Sequence, residues 1–346
     1  MNIFLKAILF FLLISRPAYA EERIQLGVIL PLTGPLSIQG VPMKNAMEMA
    51  KNELDHTGRL SILFEDDQFL PKNSLLAAKK LIQRDKVNAI VIFGTNQGKS
   101  AIEAISQNNI PFLSINVNRS VISGRANAFL LMPSIESMMK ITIKEMMIRG
   151  YKRLAILSTI QDSCLLQRDL VISSNQFKIV HSEEVSPGEV SARESALRII
   201  KNNPDAVFLS VIPPHGSIFS RSLRELGYKG DIIGGLQIAN YAEYKASNGA
   251  LSDAWVVAGK EESLQNFYKR YRKNFGDYPT AEAAYAYDTI KLILSSPNIS
   301  QLTTYLSTLH EFNGAVGKFK SDGQNGFDFE IEVKKFGHKG FEAIKR

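Results

Sequence analysis

The sequence has a single cysteine, Cys164, in 346 residues. No internal disulfide can form, which excludes a disulfide-stapled scaffold; the residue itself is expected to be a buried structural thiol. The five histidines, His56, His181, His215, His310 and His338, are dispersed, with no pair at metal-ligand spacing. No G-x-S-x-G elbow is present, which argues against a Ser-His-Asp hydrolase. GTNQGKS at residues 94–100 leaves three residues between its glycines where a phosphate loop needs four, and Phe93 cannot supply the earlier glycine. Glu65, Asp66 and Asp67 end a strand and point alternate ways, so they are read as a solvated turn and not a metal site. No metal, no cofactor and no catalytic residue is expected. Lys and Arg outnumber Asp and Glu, 41 to 34, but they are scattered and not interleaved with aromatic residues, which excludes a nucleic-acid reading.

No stretch beyond the first twenty residues is long and apolar enough to span a bilayer. Those twenty read as a signal peptide: Lys6, an apolar core over residues 7–14, and Ala18-Tyr19-Ala20 as the cleavage site before Glu21. No cysteine immediately follows that point, which argues against a lipid anchor. Loss of Lys6 and Arg16 with the segment lowers the formal charge from +7 to +5. The expected product is a soluble, exported monomer, periplasmic in location, with a mildly basic surface.

Short apolar runs alternate with helical patterns along the remaining chain, which predicts α/β structure with parallel sheets covered on both faces. Residues 24–30, 60–64, 89–93 and 111–115 read as strands, and Met43, Ala46, Met47, Ala50 and Leu54 recur at helical spacing. The pattern restarts after Pro133-Ser134 and yields a second doubly wound unit to about Gly234. Helices follow, with Leu264, Phe267, Tyr268, Tyr271 and Phe275 in one apolar stripe and Thr280 as the cap of the next. They must cover a sheet already made, so both domains are discontinuous. Methionine and aromatic stripes are read as core. The centre is residues 87–115, VNAIVIFGTNQGKSAIEAISQNNIPFLSI, a βαβ unit. Residues 94–99 are its loop, and Ser100 with Glu103 fits a capping box. That loop lies at the carboxyl end of a strand and the amino end of a helix, where open α/β sheets bind ligands and where free amides favour an anion.

GVILPLTGPLSIQG, FEDDQFLPKNSLLAAKKLI, IVIFGTNQGKSAIEAISQNNIPFLSIN, PDAVFLS, RSLRELGYKGDIIGG and AEAAYAYDTIKLI occur in that order. In order and spacing they resemble the type I periplasmic binding proteins, in particular the branched-chain (Leu/Ile/Val) amino-acid-binding family of ABC transporters. The resemblance implies two Rossmann-like lobes joined by a three-crossing hinge, with the ligand cleft between them. Lobe I would comprise residues 23–132 and 259–316, and lobe II residues 133–258 and 317–346. It implies a solute receptor of an ABC importer that captures a small polar or carboxylate-bearing ligand by lobe closure and delivers it to a permease. A ligand sensor of the same fold, signalling to a membrane partner, is the alternative; an exported enzyme is a third and weaker reading.

By position, the resemblance assigns the ligand's carboxylate to Gly98, Lys99 and Ser100 and to Asn116, Val117 and Asn118. Lys99 interrupts the family's serine-rich run and offers an anion a charge-assisted bond. Gln39 stands where an aromatic often covers the ligand. The opposite lobe departs further. The loop with Ser163 has no aromatic, Ile212 replaces another, and Leu236-Gln237 stand where an acid pairs with the ligand's ammonium. Burying an ammonium without that acid costs several kcal/mol, so an ordinary α-amino acid is not expected, unless Asp162 or Glu243 substitutes.

Overall fold

The computed structural model describes residues 23–239, 241–337 and 340–344. The expected signal segment and His338 lie outside them. Two parallel sheets organise the chain. The first holds β1 (Ile24–Leu30), β2 (Leu60–Asp66), β3 (Ala89–Phe93), β4 (Phe112–Ile115) and β5 (Ala128–Leu130), in the order β2-β1-β3-β4-β5. The second holds β6 (Arg153–Thr159), β7 (Lys178–Val185), β8 (Ala206–Ser210), β9 (Asp231–Gly234) and β10 (Trp255–Gly259), in the order β10-β9-β8-β6-β7. β14 (Ile331–Gly337) and β15 (Gly340–Ala343) extend it antiparallel beyond β10. Both halves thus repeat one winding, as expected from the alternating sequence. β3, AIVIF, is buried along its whole length, which is why its pattern is a continuous apolar run and not an alternation.

Helices cover both faces of each sheet. α1 (Ser37–Leu54) buries Met43, Ala46, Met47 and Ala50 on one face of the first sheet. α9 (Glu261–Phe275), α10 (Ala281–Ser295) and α11 (Leu302–Ser307) join the same core. α2 (Pro71–Gln83) and α3 (Thr95–Gln107) cover the other face through Ala78, Leu81, Ala101 and Ile105. On the second sheet, α4 (Ile135–Ile148) and α5 (Asp162–Ser173) take one face, with Met138, Met139, Met146 and Val171 buried. α6 (Ala192–Lys201) and α7 (His215–Glu225) take the other, with Ala196, Ile199, Phe219 and Leu223. The methionine stripes are core, each fully buried side chain contributing roughly 1.5–3 kcal/mol of transfer free energy. In the aromatic stripe Leu264, Phe267 and Tyr271 are buried, whereas Phe275 is exposed. No helix among the described residues is long and apolar enough to cross a membrane.

The chain passes between the sheets three times. The first passage runs from β5 into α4 through Pro133, with the Ile135 amide donating to the Val117 carbonyl at 2.8 Å. The second runs from β10 into α9 and the third from β13 (Phe327–Phe329) into β14; these two are bonded together, Lys260 N–H to the Glu330 carbonyl, 3.1 Å. The sequence reading draws the third passage after Val316, and core packing draws it at Glu330. The hairpin of β12 (Gly317–Ser321) and β13 buries Phe319 and Phe327 in the first sheet's core. Its turn is held to that half by Arg119 on Asp322 and by the Leu130 amide on the Asn325 carbonyl at 2.8 Å. A glycine-punctuated strand pattern does not say which core it fills.

Three other expectations change. α1 begins at Ser37, six residues before Met43, where the expected helical pattern starts, and continues through Pro42. Thr280 stands at the cap position of α10, but its hydroxyl makes no cap bond and is buried without a partner. The acids Asp66 and Asp67 at the end of β2 are anchors and not a solvated turn. Asp66 accepts from the Leu32 amide (2.9 Å), the Thr33 amide and hydroxyl, and the Gln68 amide, while fully buried Asp67 accepts from Ser74 Oγ at 2.6 Å and the Phe69 amide at 2.9 Å.

Candidate functional site

A doubly wound sheet binds ligands outside the carboxyl ends of its strands, where the strand order reverses. In the first sheet that point lies between β1 and β3; in the second it lies between β6 and β8. A single contact shows that the two crevices face each other: Lys99 Nζ, on α3 after β3, lies 3.5 Å from Asp162 Oδ2, the first residue of α5 after β6.

The first side differs from its sequence reading in one respect. Gly94, at φ +100°, turns the chain so that α3 starts at Thr95, and the Gly98 amide already bonds to the Gly94 carbonyl at 3.1 Å. The residues expected as a loop are the first turn of the helix. Ser100 is not its cap. Its hydroxyl donates to the carbonyls of Pro71 (2.7 Å) and Gln97 (2.8 Å), so the expected capping box does not form. The amides without an intrahelical partner belong to Thr95, Asn96 and Gln97. Gly98 is a packing position: a Cβ there would lie 2.6 Å from Val121 Cγ1. Buried Gln97 ties this turn to the loop after β2, Nε2 donating to the Phe69 carbonyl at 2.8 Å. Partial burial acts to raise the pKa of Asp66, but Thr33 and the surrounding amides outweigh it and hold it low. For Asp67 burial wins over Ser74 and Phe69, and the pKa rises.

Beyond β4, the Asn116 amide group donates to Ser114 Oγ and its Oδ1 accepts from the Asn118 N–H at 2.6 Å. Asn118 Oδ1 in turn caps a short 3-10 turn through the Ser120 N–H at 3.0 Å. Val117 packs against the second sheet's core and marks the first passage. These side chains shape the loop before they can meet any ligand. Gln39 is half-buried in the first turn of α1.

The second side is a relay of neutral groups. Gln237 Nε2 donates to Ser163 Oγ at 2.6 Å, and Ser163 Oγ donates to Gln161 Oε1. Fully buried Gln167 donates to Gln237 Oε1 and to the Ser163 carbonyl, both 2.9 Å, while its Oε1 accepts from the Leu236 amide at 2.9 Å. The Ile212 amide donates to Thr159 Oγ1 at 3.2 Å. The same hydroxyl lies 2.9 Å from Nδ1 of buried His215, whose Nε2 has no partner within hydrogen-bonding geometry. Burial lowers the His215 pKa against the opposing effect of Glu189. Of the two substitute acids, Asp162 pairs with Lys99. Glu243 is buried in α8 (Tyr241–Ala246) and accepts from the Ser217 amide in the first turn of α7 at 2.8 Å, its pKa raised by burial. Cys164 is buried, its pKa pushed up to about 12 by desolvation, as expected of a structural thiol. Among the described residues no group of three or more His, Cys, Asp or Glu could hold a metal ion.

The structure therefore gathers Ser163, Leu236 and Gln237 into one network and sets Lys99 against the second half. Sequence reasoning missed Gln167 and Thr159. The one available signal was the i, i+4 spacing of Ser163 and Gln167 on a single helix face.

The family model for periplasmic binding proteins matches residues 23–327. The chain belongs to that family. The Leu/Ile/Val-binding protein homolog 3 of Brucella melitensis is 22% identical over 266 residues, 72% of this chain and 70% of that protein. Among solved structures, the branched-chain amino acid transporter substrate-binding protein LivJ of Streptococcus pneumoniae, in complex with isoleucine, superposes with a TM-score of 0.81 at 16% identity, covering 93% of this chain and 98% of that one. An ABC transporter solute-binding protein of R. palustris, in complex with benzoate, gives 0.80 at 15% identity over 93% and 95%. At such identities the structures establish a shared fold alone. A periplasmic binding protein acts outside the cytoplasmic membrane and binds rather than transforms its ligand, as the resemblance implied.

Proposed function

We propose that this periplasmic binding protein is the solute receptor of an ABC importer. Its ligand is a small molecule with a carboxylate at one end and a neutral hydrogen-bonding or apolar group at the other. Lobe closure captures it for delivery to a permease. The carboxylate end rests on the open amides at the start of α3 and on Lys99. The observation that carries the reading is the relay Gln161–Ser163–Gln237–Gln167, which contains no carboxylate. An ammonium placed there would lose its hydration with only amide and hydroxyl oxygens in return. Of the two nearby acids, Glu243 is committed to the first turn of α7, and Asp162 lies against Lys99, outside the relay. That one relative of this fold was solved with isoleucine and another with benzoate is compatible with a scaffold that takes either class.

A thermal-shift screen tests the reading. Benzoate, 4-hydroxybenzoate, aliphatic carboxylates, amides and the branched-chain amino acids are compared at equal concentration. A ligand at a hundred times its Kd stabilises the folded form by about 2.7 kcal/mol. Anionic ligands should give the larger shifts, and Lys99→Ala should reduce them. A large shift with leucine that Lys99→Ala leaves unchanged would overturn the proposal.

A further inference from the structure

We propose that Asp162 is a specificity-determining residue: it holds Lys99 across the cleft in place of the ligand's carboxylate and yields it when an anion enters. The inference rests on the anionic-ligand reading given above and adds a residue to it.

Lys99 and Asp162 come from opposite lobes, at the amino ends of the helices that follow β3 and β6. Their 3.5 Å separation exceeds the 2.7–2.9 Å typical of a charge-assisted hydrogen bond. The side chains are 41% and 52% exposed. A pair that long and that hydrated is weak and exchangeable. Neither residue has another ion pair or side-chain hydrogen bond among the described residues, so each is available for exchange. Release affects the two differently. Asp162 stays in the first turn of α5, where the helix amino end favours a negative charge. Lys99 stays near the amino end of α3, whose first turn holds no acid. Its charge adds to that of the open amides, and an incoming carboxylate satisfies both. The charge on Lys99 therefore favours an anion over a neutral ligand, which leaves the pair intact, and Asp162 sets how much of that preference is expressed. Asp162 also repels the entering anion, so it weakens binding of every carboxylate and raises the threshold a ligand must pass. A zwitterion held between the two charges requires the opposite: its ammonium would need Asp162.

The test uses the full mature chain with benzoate and isoleucine as probes, in wild type, Asp162→Asn, Lys99→Met and the double variant. Asp162→Asn should tighten benzoate roughly three- to ten-fold at low salt, with the gain shrinking as ionic strength rises. In the Lys99→Met background the same change should give a smaller gain, because no pair remains to be broken. Small-angle scattering of the unliganded proteins gives a readout that needs no ligand: Asp162→Asn and Lys99→Met should each shift the population toward a larger radius of gyration. An Asp162→Asn variant that binds benzoate no tighter than wild type, or an isoleucine affinity that falls when Asp162 is neutralised, overturns the proposal. If no carboxylate binds any form, the anionic-ligand reading fails. The cross-cleft contact is then judged by scattering alone, and an unchanged radius of gyration in Asp162→Asn refutes it.

Discussion

Gln237→Glu separates the two ligand classes that this fold accommodates. In the wild type Gln237 Oε1 accepts from Gln167 and Nε2 donates to Ser163 Oγ. The substitution keeps the first bond, now to a charged acceptor. It reverses the second, since a carboxylate cannot donate: Ser163 must turn its hydroxyl away from Gln161 and toward position 237. One neutral bond is lost, about 1 kcal/mol, and the bond from Gln167 gains a similar amount from the charge. Position 237 is only half-buried, so the new carboxylate remains hydrated on one side and the fold should change in stability by less than about 1 kcal/mol. The ligand's far end, in contrast, meets a full charge. An ammonium there gains about 1.5–3 kcal/mol, about one to two decades in affinity, while a carboxylate or phenolate is repelled. The ratio of isoleucine to benzoate affinity should therefore rise by about ten- to a hundredfold, measured by calorimetric titration at pH 7.5. Urea unfolding of the same samples monitors stability. A variant with wild-type stability and an unchanged ratio would refute the argument that the neutral relay decides ligand class.

Gly40→Ala and Gly98→Ala should differ sharply in urea unfolding. A Cβ at Gly40 would lie 2.0 Å from the Pro31 carbonyl oxygen, backbone pinned by β1, and should destabilise by about 3 kcal/mol or more even after the helix-propensity gain of about 1 kcal/mol. At Gly98 the nearest atom is the end of the Val121 side chain, which can rotate, so the net change should stay within about 1 kcal/mol; equal losses at both sites would contradict the packing argument. Cys164 should resist thiol reagents in the native protein at pH 8 and react fully in urea, because burial pushes its pKa up to about 12; rapid native labelling would refute this. His215 is held neutral by burial, so its contribution to stability is complete above its unfolded pKa of about 6.5 and is lost as pH falls below that value. Over pH 5 to 6.5 the wild type should lose stability more steeply than His215→Asn, by up to about 1.4 kcal/mol per pH unit, and parallel curves would show that His215 does not titrate between the folded and unfolded states.

Much of the fold was legible because it depends on periodicity. The βαβ alternation, the double winding and the return of the later helices to the first core all follow from where apolar residues recur. The boundaries that failed depend on a few atoms. Gly94 at positive φ starts α3 five residues before Ser100, and a serine with a glutamate three residues on fits a capping box whether or not the helix begins there. The third passage was misplaced because Phe319 and Phe327 carry no mark of the core they enter. The site was legible only through its order in the chain. Residue types alone do not show that Asp162 reaches Lys99, nor that Gln167, which bonds to Ser163 on its own helix, also bonds to Gln237 70 residues away.

The polar groups that build the two crevices differ in how far they can adapt, and this bears on where selectivity resides. On the first side the loops are fixed by buried or half-buried anchors that cannot exchange partners without leaving amides unpaired. Asp66 spans the loops after β1 and β2, Asp67 holds Ser74, and Gln97 holds the Phe69 carbonyl. An unpaired buried group costs about 1–3 kcal/mol, so these loops are set before any ligand arrives. They present backbone amides, which recognise an anion but not the molecule that carries it. On the second side the contacts are side-chain amides and hydroxyls, each able to donate or accept. Ser163 can turn its hydroxyl at little cost, so the relay can adjust its polarity to hydroxyl, carbonyl or amide partners. It cannot supply a charge. On the proposed function, a rigid half that holds the carboxylate, facing an adaptable neutral half, would select strongly for the anionic end and weakly among the groups at the other. Replacing one neutral side chain of the relay should therefore alter the class of ligand without disturbing the half proposed to hold its carboxylate.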